Sequence, residues 1–185
     1  MRYVLASLVL VGLACGKDST GAPTISTLQN DNFTSGGAAP TFVAAFDSGE
    51  AAAVRLGPQG SAFTIRKVLF IFGGAVTAQT VTLTIYNDAN TANPSTPLYD
   101  NDYALTPSDA AMQEIDLTGA NIHVAAGQMI RVALAFHHVG LPSVAKDGAI
   151  TNTRNWMFIN PGGWTAAETV GIDGDFIIRV EISTP

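Results

Sequence analysis

Acidic and amide side chains crowd the loops in the middle of this sequence, and oxygen-rich clusters of this kind bind hard cations. Ca²⁺ takes about six to eight oxygen ligands from carboxylates and carbonyls, and loops are a common source of them. Asp88, Asp100 and Asp102 are therefore candidate calcium ligands. Asp and Asn also close turns through their own side chains, and no EF-hand spacing is present, so a structural role stays open. The clusters comprise Asp88, Asn90, Asp100, Asn101, Asp102 and Asp109, and later Asp173-Gly174-Asp175.

Two tryptophans near a glycine-rich turn indicate a second kind of site. An indole ring stacks on a sugar ring while nearby Asn and Asp side chains bind its hydroxyl groups. Trp164 follows Asn-Pro-Gly-Gly, which predicts that its ring lies at a loop end. In the alternative interpretation, Trp156 belongs to the core and Trp164 plugs one end of the fold. The candidate ligand-binding residues are Trp164, Trp156 and Tyr99, which Tyr86 and Tyr103 could join.

Catalytic motifs give no assignment. The sequence contains no G-x-S-x-G elbow, H-E-x-x-H helix, P-loop or G-x-G-x-x-G. His137 and His138 are adjacent, so on a regular strand they point to opposite faces and cannot both bind one metal. Paired loop carboxylates could cleave glycosidic bonds if about 5 to 10 Å apart, so a small glycoside hydrolase or other hydrolase is the alternative function. Glutamates are scarce for that role: they are Glu50, Glu114, Glu168 and Glu181.

The first residues explain the position of the only cysteine. Arg2 precedes an uncharged run from Val4 to Ala14, which is too short to cross a membrane but fits the apolar region of a secretory signal. Gly-Leu-Ala-Cys, ending at Cys15, resembles the lipobox of bacterial lipoproteins, although Gly12 stands where Leu is usual. The resemblance implies that the Cys15 thiol is diacylated and becomes the mature N-terminus. An ordinary secretory signal with an incidental cysteine is the alternative.

The segment after Cys15 predicts a tether to an outer membrane. Residues 16–24 have no apolar periodicity and consist of linker residues, and two acyl chains suffice for stable anchoring. By resemblance to enterobacterial sorting rules, Gly16 in place of Asp favours the outer membrane. The predicted organisation is a signal peptide over 1–14, lipidated Cys15 and tether over 15–24, and one domain over 25–185.

Composition narrows the partners. Removal of Arg2 with the signal leaves eight basic and 15 acidic side chains, and the basic residues form no cluster beyond Arg66-Lys67. Nucleic acid is therefore not an expected partner. With Cys15 lipidated, no intramolecular disulfide can form, so the domain must rely on its core.

The body of the chain predicts an all-β domain. Apolar residues alternate in 81–86, in 130–136 with Arg131 on the opposite side, and in 176–182 with Arg179 and Glu181 outward. Phe63 to Phe72 is more continuously apolar, which predicts a strand covered on both faces for part of its length. A helical turn is expected only at 107–111, capped by Thr106. Weaker strand candidates are 41–46, 51–56, 97–103, 112–117, 122–124 and 155–159.

About nine or ten strands between Gly, Pro, Asn and Asp clusters favour a β-sandwich or jelly roll. The segments VTLTIYNDANTANPSTPLYDNDYAL, MQEIDLTGANIHVAAGQMIRVALAF and GIDGDFIIRVEI resemble accessory β-sandwich modules of secreted bacterial proteins, over about residues 60–183. Such modules include sugar-binding, adhesive and structural members. We therefore expect a noncatalytic module that binds glycan, matrix or an envelope protein. We expect no catalytic residue, and calcium is the only candidate cofactor.

Overall fold

Antiparallel strands make up the fold of this chain. The computed structural model describes residues 21–89, 92–151 and 153–185. The predicted signal peptide, Cys15 and the first residues of the tether lie outside the described residues. The strands of the described part are β1 (Thr24–Leu28), β2 (Thr41–Phe42), β3 (Ala51–Leu56), β4 (Phe63–Phe70), β5 (Phe72–Gly73), β6 (Gln79–Asp88), β7 (Pro97–Leu105), β8 (Gln113–Asp116), β9 (Ile122–Val124), β10 (Met129–Phe136), β11 (Ser143–Lys146), β12 (Asn155–Ile159), β13 (Gly163–Ala166) and β14 (Ile178–Thr184).

Two main sheets pack face to face. One has the order β1-β14-β4-β8, with β9 also paired to β4, and the other has the order β13-β12-β3-β10-β6-β7. Alternate residues of both sheets point into a single apolar cluster, which includes Leu134 of β10 and Ile178 of β14. The predicted faces of β10 and β14 are therefore confirmed, and so is the all-β class with the packing of a β-sandwich.

A small third sheet, of order β2-β11-β5, lies beside the sandwich. It explains why the predicted strand over 63–72 is divided. The chain leaves β4 after Phe70, and Ile71 instead exchanges backbone hydrogen bonds with Ile177 and Ala145. Side chains from Phe70 to Phe72 are fully buried, so the prediction of cover on both faces is confirmed for this part.

The first strand contributes little to the core. β1 forms the edge of its sheet, paired along its length with β14, and Thr24 stands opposite Thr184. Four of its five side chains are exposed, and only Leu28 is buried. The segment before Thr24 and the end of β14 therefore lie at the same end of the sandwich.

Helical structure occurs elsewhere than predicted. Residues 107–111 form no helix: 109–111 are bends, and Ser108 Oγ accepts a hydrogen bond from the Ala111 backbone N–H at 3.1 Å, so the helical turn expected there is wrong. Short 3₁₀ turns instead cover Thr118–Ala120 and Ala167–Val170. No helix in the described ranges is long and apolar enough to span a bilayer.

Candidate functional site

The outward face of the six-stranded sheet carries most of the predicted site residues. In each strand of this sheet, the residues that alternate with the core positions point away from the other sheet. The register places Trp156 beside Ala53, Thr84 beside Asp100 and Thr82 beside Asp102. Five of the six candidate residues share this face: Trp156, Trp164, Asp88, Asp100 and Asp102.

Four alanines form the floor of this face. Ala51 and Ala53 of β3 stand opposite Ala135 and Ala133 of β10, on the two central strands. Methyl side chains leave room above the sheet for large rings. Aromatic side chains fill that room, and together with the alanines they form an apolar cluster separate from the main core. We call this face, from the alanine floor to the rings above it, the aromatic groove.

Trp164 lies within a strand, not in the loop end that its glycine-rich neighbourhood predicted. Gly163 has a φ of 89°, which turns the chain after Asn160-Pro161-Gly162 so that β13 pairs back onto β12. Trp164 stands opposite Phe158, and their ring centroids are 5.6 Å apart. The indole is half-buried, whereas that of Trp156 is only 8% exposed. Trp156 is thus a packed residue, and Trp164 is the accessible ring.

The rings show that the outward face is concave. Four strand-to-strand steps separate β13 from β6, which would be about 19 Å in a flat sheet. Yet the ring centroids of Trp164 and Tyr86 lie 6.0 Å apart, in an edge-to-face arrangement. The two side chains therefore lean toward each other across a curved surface and cover part of the alanine floor. Burial raises the pKa of Tyr86.

A buried ion cluster lies beneath the rings. Asp88 Oδ2 accepts hydrogen bonds from Nε of Arg55 at 2.9 Å and from Nε of Arg131 at 2.8 Å. The guanidinium carbons lie 4.7 Å and 4.3 Å from the centre of the Trp156 ring, within the range of cation–π attraction. Burial raises the pKa of Asp88, but the hydrogen bond from Arg55 and the charge of Arg131 outweigh that effect and lower it. Asp88 is therefore an ionised structural residue and not a free calcium ligand.

A polar rim borders the groove on the side of β6 and β7. Thr84 donates a hydrogen bond to Asp100 at 2.8 Å, and Thr82 donates one to Asp102 at 2.6 Å. His137 Nε2 lies 2.7 Å from the same Thr82 hydroxyl. Each threonine orients one carboxylate, and Asp102 keeps 61% of its side chain exposed. The rim thus offers solvent-exposed acceptors beside the aromatic rings.

The structure does not assemble the three proposed calcium ligands around one point. Asp100 stands opposite Thr84, and Asp88 lies four residues further along β6 than Thr84. The positions of Asp88 and Asp100 are therefore separated by about 13 Å along the strand direction. Within the described ranges, no group of three His, Cys, Asp or Glu side chains is placed to hold a metal ion.

Tyr99 lies on the inward side of β7, away from the groove. Its hydroxyl is 2.5 Å from that of Tyr103, and both rings pack against the main core. Burial and this hydrogen bond raise the pKa of Tyr99 to about 12. Tyr99 and the two tryptophans are therefore on opposite faces of one sheet and do not form a common site.

The second acidic cluster is structural. Asp175 is fully buried and accepts hydrogen bonds from the backbone N–H and the hydroxyl of Thr151, both at 2.8 Å, and from the Asn155 amide. Asp173 pairs with Lys146 at 2.8 Å. These carboxylates tie loops to β11 and β12, so turn closure accounts for them.

The two adjacent histidines differ in environment. His137 follows the end of β10 on the exposed rim. His138 packs edge-on against Phe72 and Phe136, and its Nε2 lies 2.6 Å from the Pro142 carbonyl oxygen, which makes Nε2 the donor. The two rings do not share a ligand position.

The alanines of the floor and the threonines of the rim are not among the site residues that the sequence predicts. A signal for the floor exists, because Ala-x-Ala occupies the outward positions in both β3 and β10. The burial of Arg131 has no such local signal, since it depends on rings that lie 25 and 33 residues further along the chain.

Together these features define a β-sandwich domain with an aromatic groove on one sheet and an acidic, hydroxyl-bearing rim. Comparisons of the chain with protein-family models, with curated proteins and with solved structures found no match.

Proposed function

We propose that this chain is a lipid-anchored cell-envelope protein whose β-sandwich is a noncatalytic domain that binds glycan in the aromatic groove. The observation that carries the proposal is the partly exposed Trp164 ring, packed with the alanine floor on the same face of the sheet as the Thr–Asp pairs of the rim. An indole face stacks on the apolar face of a sugar, and carboxylates accept hydrogen bonds from sugar hydroxyl groups. Both kinds of contact are within one surface here.

The environments of the acids favour binding over hydrolysis. A general acid in a glycosidase needs a raised carboxyl pKa. Among the described residues, the carboxyl groups with a shifted pKa are those of Asp88, Asp116 and Asp173. In all three the pKa is lowered below the usual range. Burial of Asp88 is outweighed by its arginines, and hydrogen bonds from Thr118 and Lys146 lower the other two.

Three of the four glutamates are likewise engaged in structural contacts. The two carboxylate oxygens of buried Glu50 accept backbone hydrogen bonds from Asp47 at 2.9 Å and Asn160 at 3.1 Å. Glu114 pairs with Lys67 at 3.0 Å, and Glu181 lies 3.8 Å from Arg66. These residues are placed to hold loops and strands together.

Binding is tested first on a glycan array, with and without a chelator, and then by calorimetric titration of the best oligosaccharide. Trp164→Ala removes the accessible stacking ring and should weaken binding severalfold, since aromatic contacts are worth about 0.5 to 1.5 kcal/mol. Phe33→Ala is a matched control, because Phe33 is also a partly buried aromatic residue but packs against Ile71, Ala145 and Ile177, away from the groove. It should leave binding unchanged.

Melting temperatures of both variants complete the test. We expect a modest fall in melting temperature for Trp164→Ala, since the ring packs on Phe158 and Tyr86 while staying partly exposed. A large fall with unchanged glycan binding would make Trp164 a core residue and refute the groove as the site. If binding disappears in the chelator, a metal ion contributes to the site.

The anchor rests on the lipobox resemblance at Cys15 and needs its own test. Cys15→Ser should leave the chain unacylated and move it from the detergent phase to the aqueous phase. Metabolic labelling with an alkyne fatty acid that still tags the Ser variant would contradict lipidation at this residue.

A further inference from the structure

β7 is a long edge strand. Eight of its nine residues pair with β6, Leu98 lies at an irregularity in the register, and the described residues provide no backbone partner on the other side of β7. A strand of this length extends about 30 Å. Its outer row of N–H and C=O groups is a template for another strand.

The side chains of β7 give this edge a negative charge. Asp100 and Asp102 lie two residues apart on the groove side, about 7 Å from each other. Both are exposed, and β7 contains no Lys or Arg. On the opposite side, Tyr99, Asn101 and Tyr103 alternate with them. A strand added at this edge would have its side chains next to these two rows.

We infer that β7 binds an extended partner segment that carries Lys or Arg at every second position. Backbone hydrogen bonds to a sheet edge provide affinity in this mode of recognition, and alternate side chains provide selectivity. Opposite charges on neighbouring antiparallel strands attract, so basic residues beside Asp100 and Asp102 favour the pairing. The inference does not depend on glycan binding in the groove.

The same carboxylates oppose pairing of β7 with a second copy of itself. An antiparallel β7–β7 pair centred near Asn101 would place Asp100 of one copy beside Asp102 of the other. Like charges in such positions destabilise the pair, and charged residues on edge strands are a known protection against self-association. A basic strand is therefore the occupant that the charges favour.

The probe is a synthetic peptide matched in length to β7, with lysine at every second position and threonine or valine between. We expect saturable binding in low-salt titration and slower amide hydrogen exchange along β7. Asp100→Asn with Asp102→Asn should weaken binding about three- to tenfold, as expected from the loss of two cross-strand charge pairs. Glu114→Gln with Asp116→Asn is the control, because these acids lie on the other sheet, and it should change little.

Two peptide controls separate strand pairing from charge attraction. The peptide with N-methylated backbone at alternate residues should not bind, nor should the peptide with glutamate in place of lysine. Equal binding of the N-methylated peptide, no protection of β7 amides, or equal weakening in both double variants would overturn the proposal. A peptide-free dimer that protects β7 would also overturn it.

Discussion

Asp88 Oδ2 lies 2.8 Å from Nε of Arg131, and both side chains are fully buried under the rings of the aromatic groove. These two residues are 43 positions apart in the sequence. The register between β6 and β10 brings them together, since Asp88 stands opposite Met129 at the same end of the two strands. The ion cluster beneath the groove therefore depends on β6 and β10 pairing in this register.

Asp88→Asn should be strongly destabilising. It leaves two buried guanidinium groups without their carboxylate, and breaking a buried ion pair by removing one partner costs about 3 to 5 kcal/mol. Denaturant unfolding monitored by circular dichroism measures the change. Asp102→Asn, an exposed carboxylate on the same face, is the control and should unfold close to the wild type. Similar stability of the two variants would show that the cluster contributes little.

The contribution of Asp88 should depend on pH. Its folded-state pKa lies below the ordinary value of 3.8, because the arginines outweigh the effect of burial. Stabilisation by the ionised carboxylate is therefore complete above pH 3.8 and is lost as the pH falls through the folded-state pKa. The difference in unfolding free energy between wild type and Asp88→Asn should narrow below pH 3.8. A difference that stays constant down to the acid transition would contradict this assignment.

Ionisation of Tyr99 should lower the stability of the fold at alkaline pH. Its pKa is raised from 10.0 to about 12, so the stability it contributes is complete below pH 10.0 and is lost as the pH rises toward about 12. Tyr103→Phe should lower the pKa of Tyr99, because it removes the hydrogen bond and the neighbouring ionisable hydroxyl. Ultraviolet titration of tyrosinate, with Tyr99→Phe to identify the step, measures this. Titration of Tyr99 at its ordinary pKa in the wild type would refute the hydrogen-bonded tyrosine pair.

Core truncations test the two inward faces of the sandwich. Leu134→Ala and Ile178→Ala should each cost about 2 to 5 kcal/mol, since both side chains are fully buried and their removal leaves a cavity. Val76→Ala is the control, because Val76 is 93% exposed. Chemical unfolding gives the values. Wild-type stability of both core variants would mean that the faces are assigned wrongly.

A close backbone approach makes Gly174 intolerant of a side chain. Its φ is 154°, and a Cβ there would lie 2.1 Å from the Asp147 carbonyl oxygen. Gly174→Ala should therefore disturb the backbone hydrogen bond from Asp147 to Asp175 and cost more than about 1 kcal/mol. Gly119→Ala, where a Cβ meets open space, is the matched control. Equal unfolding midpoints would contradict the contact.

Local alternation predicts most of the strands, since it reflects burial of one face. The bounds of 51–56, 122–124 and 155–159 agree with β3, β9 and β12. β1 and β11 escape prediction because they are short and contain Thr, Ser, Ala or Lys at most positions. β13 is not predicted because the Pro-Gly-Gly sequence before it is typical of a loop, and only its pairing with β12 makes it a strand.

The site is less predictable than the fold because it depends on contacts distant in sequence. The types of Trp164 and Asp102 indicate chemistry, but their shared face follows from the sheet order. The same order separates Tyr99 from them, since period-two alternation places adjacent residues of β7 on opposite sides. The role of Asp88 is decided by two arginines that lie 33 and 43 residues away.

The edge position of β1 has a mechanical consequence. A force on the segment before Thr24, as a membrane tether would exert on a domain held by its ligand, acts on the first residue pair at the open end of an antiparallel ladder. It would separate the five pairs one after another, and only Leu28 opposes this with buried apolar surface. Peeling of β1 would add about 17 Å to the extended segment before Gln29.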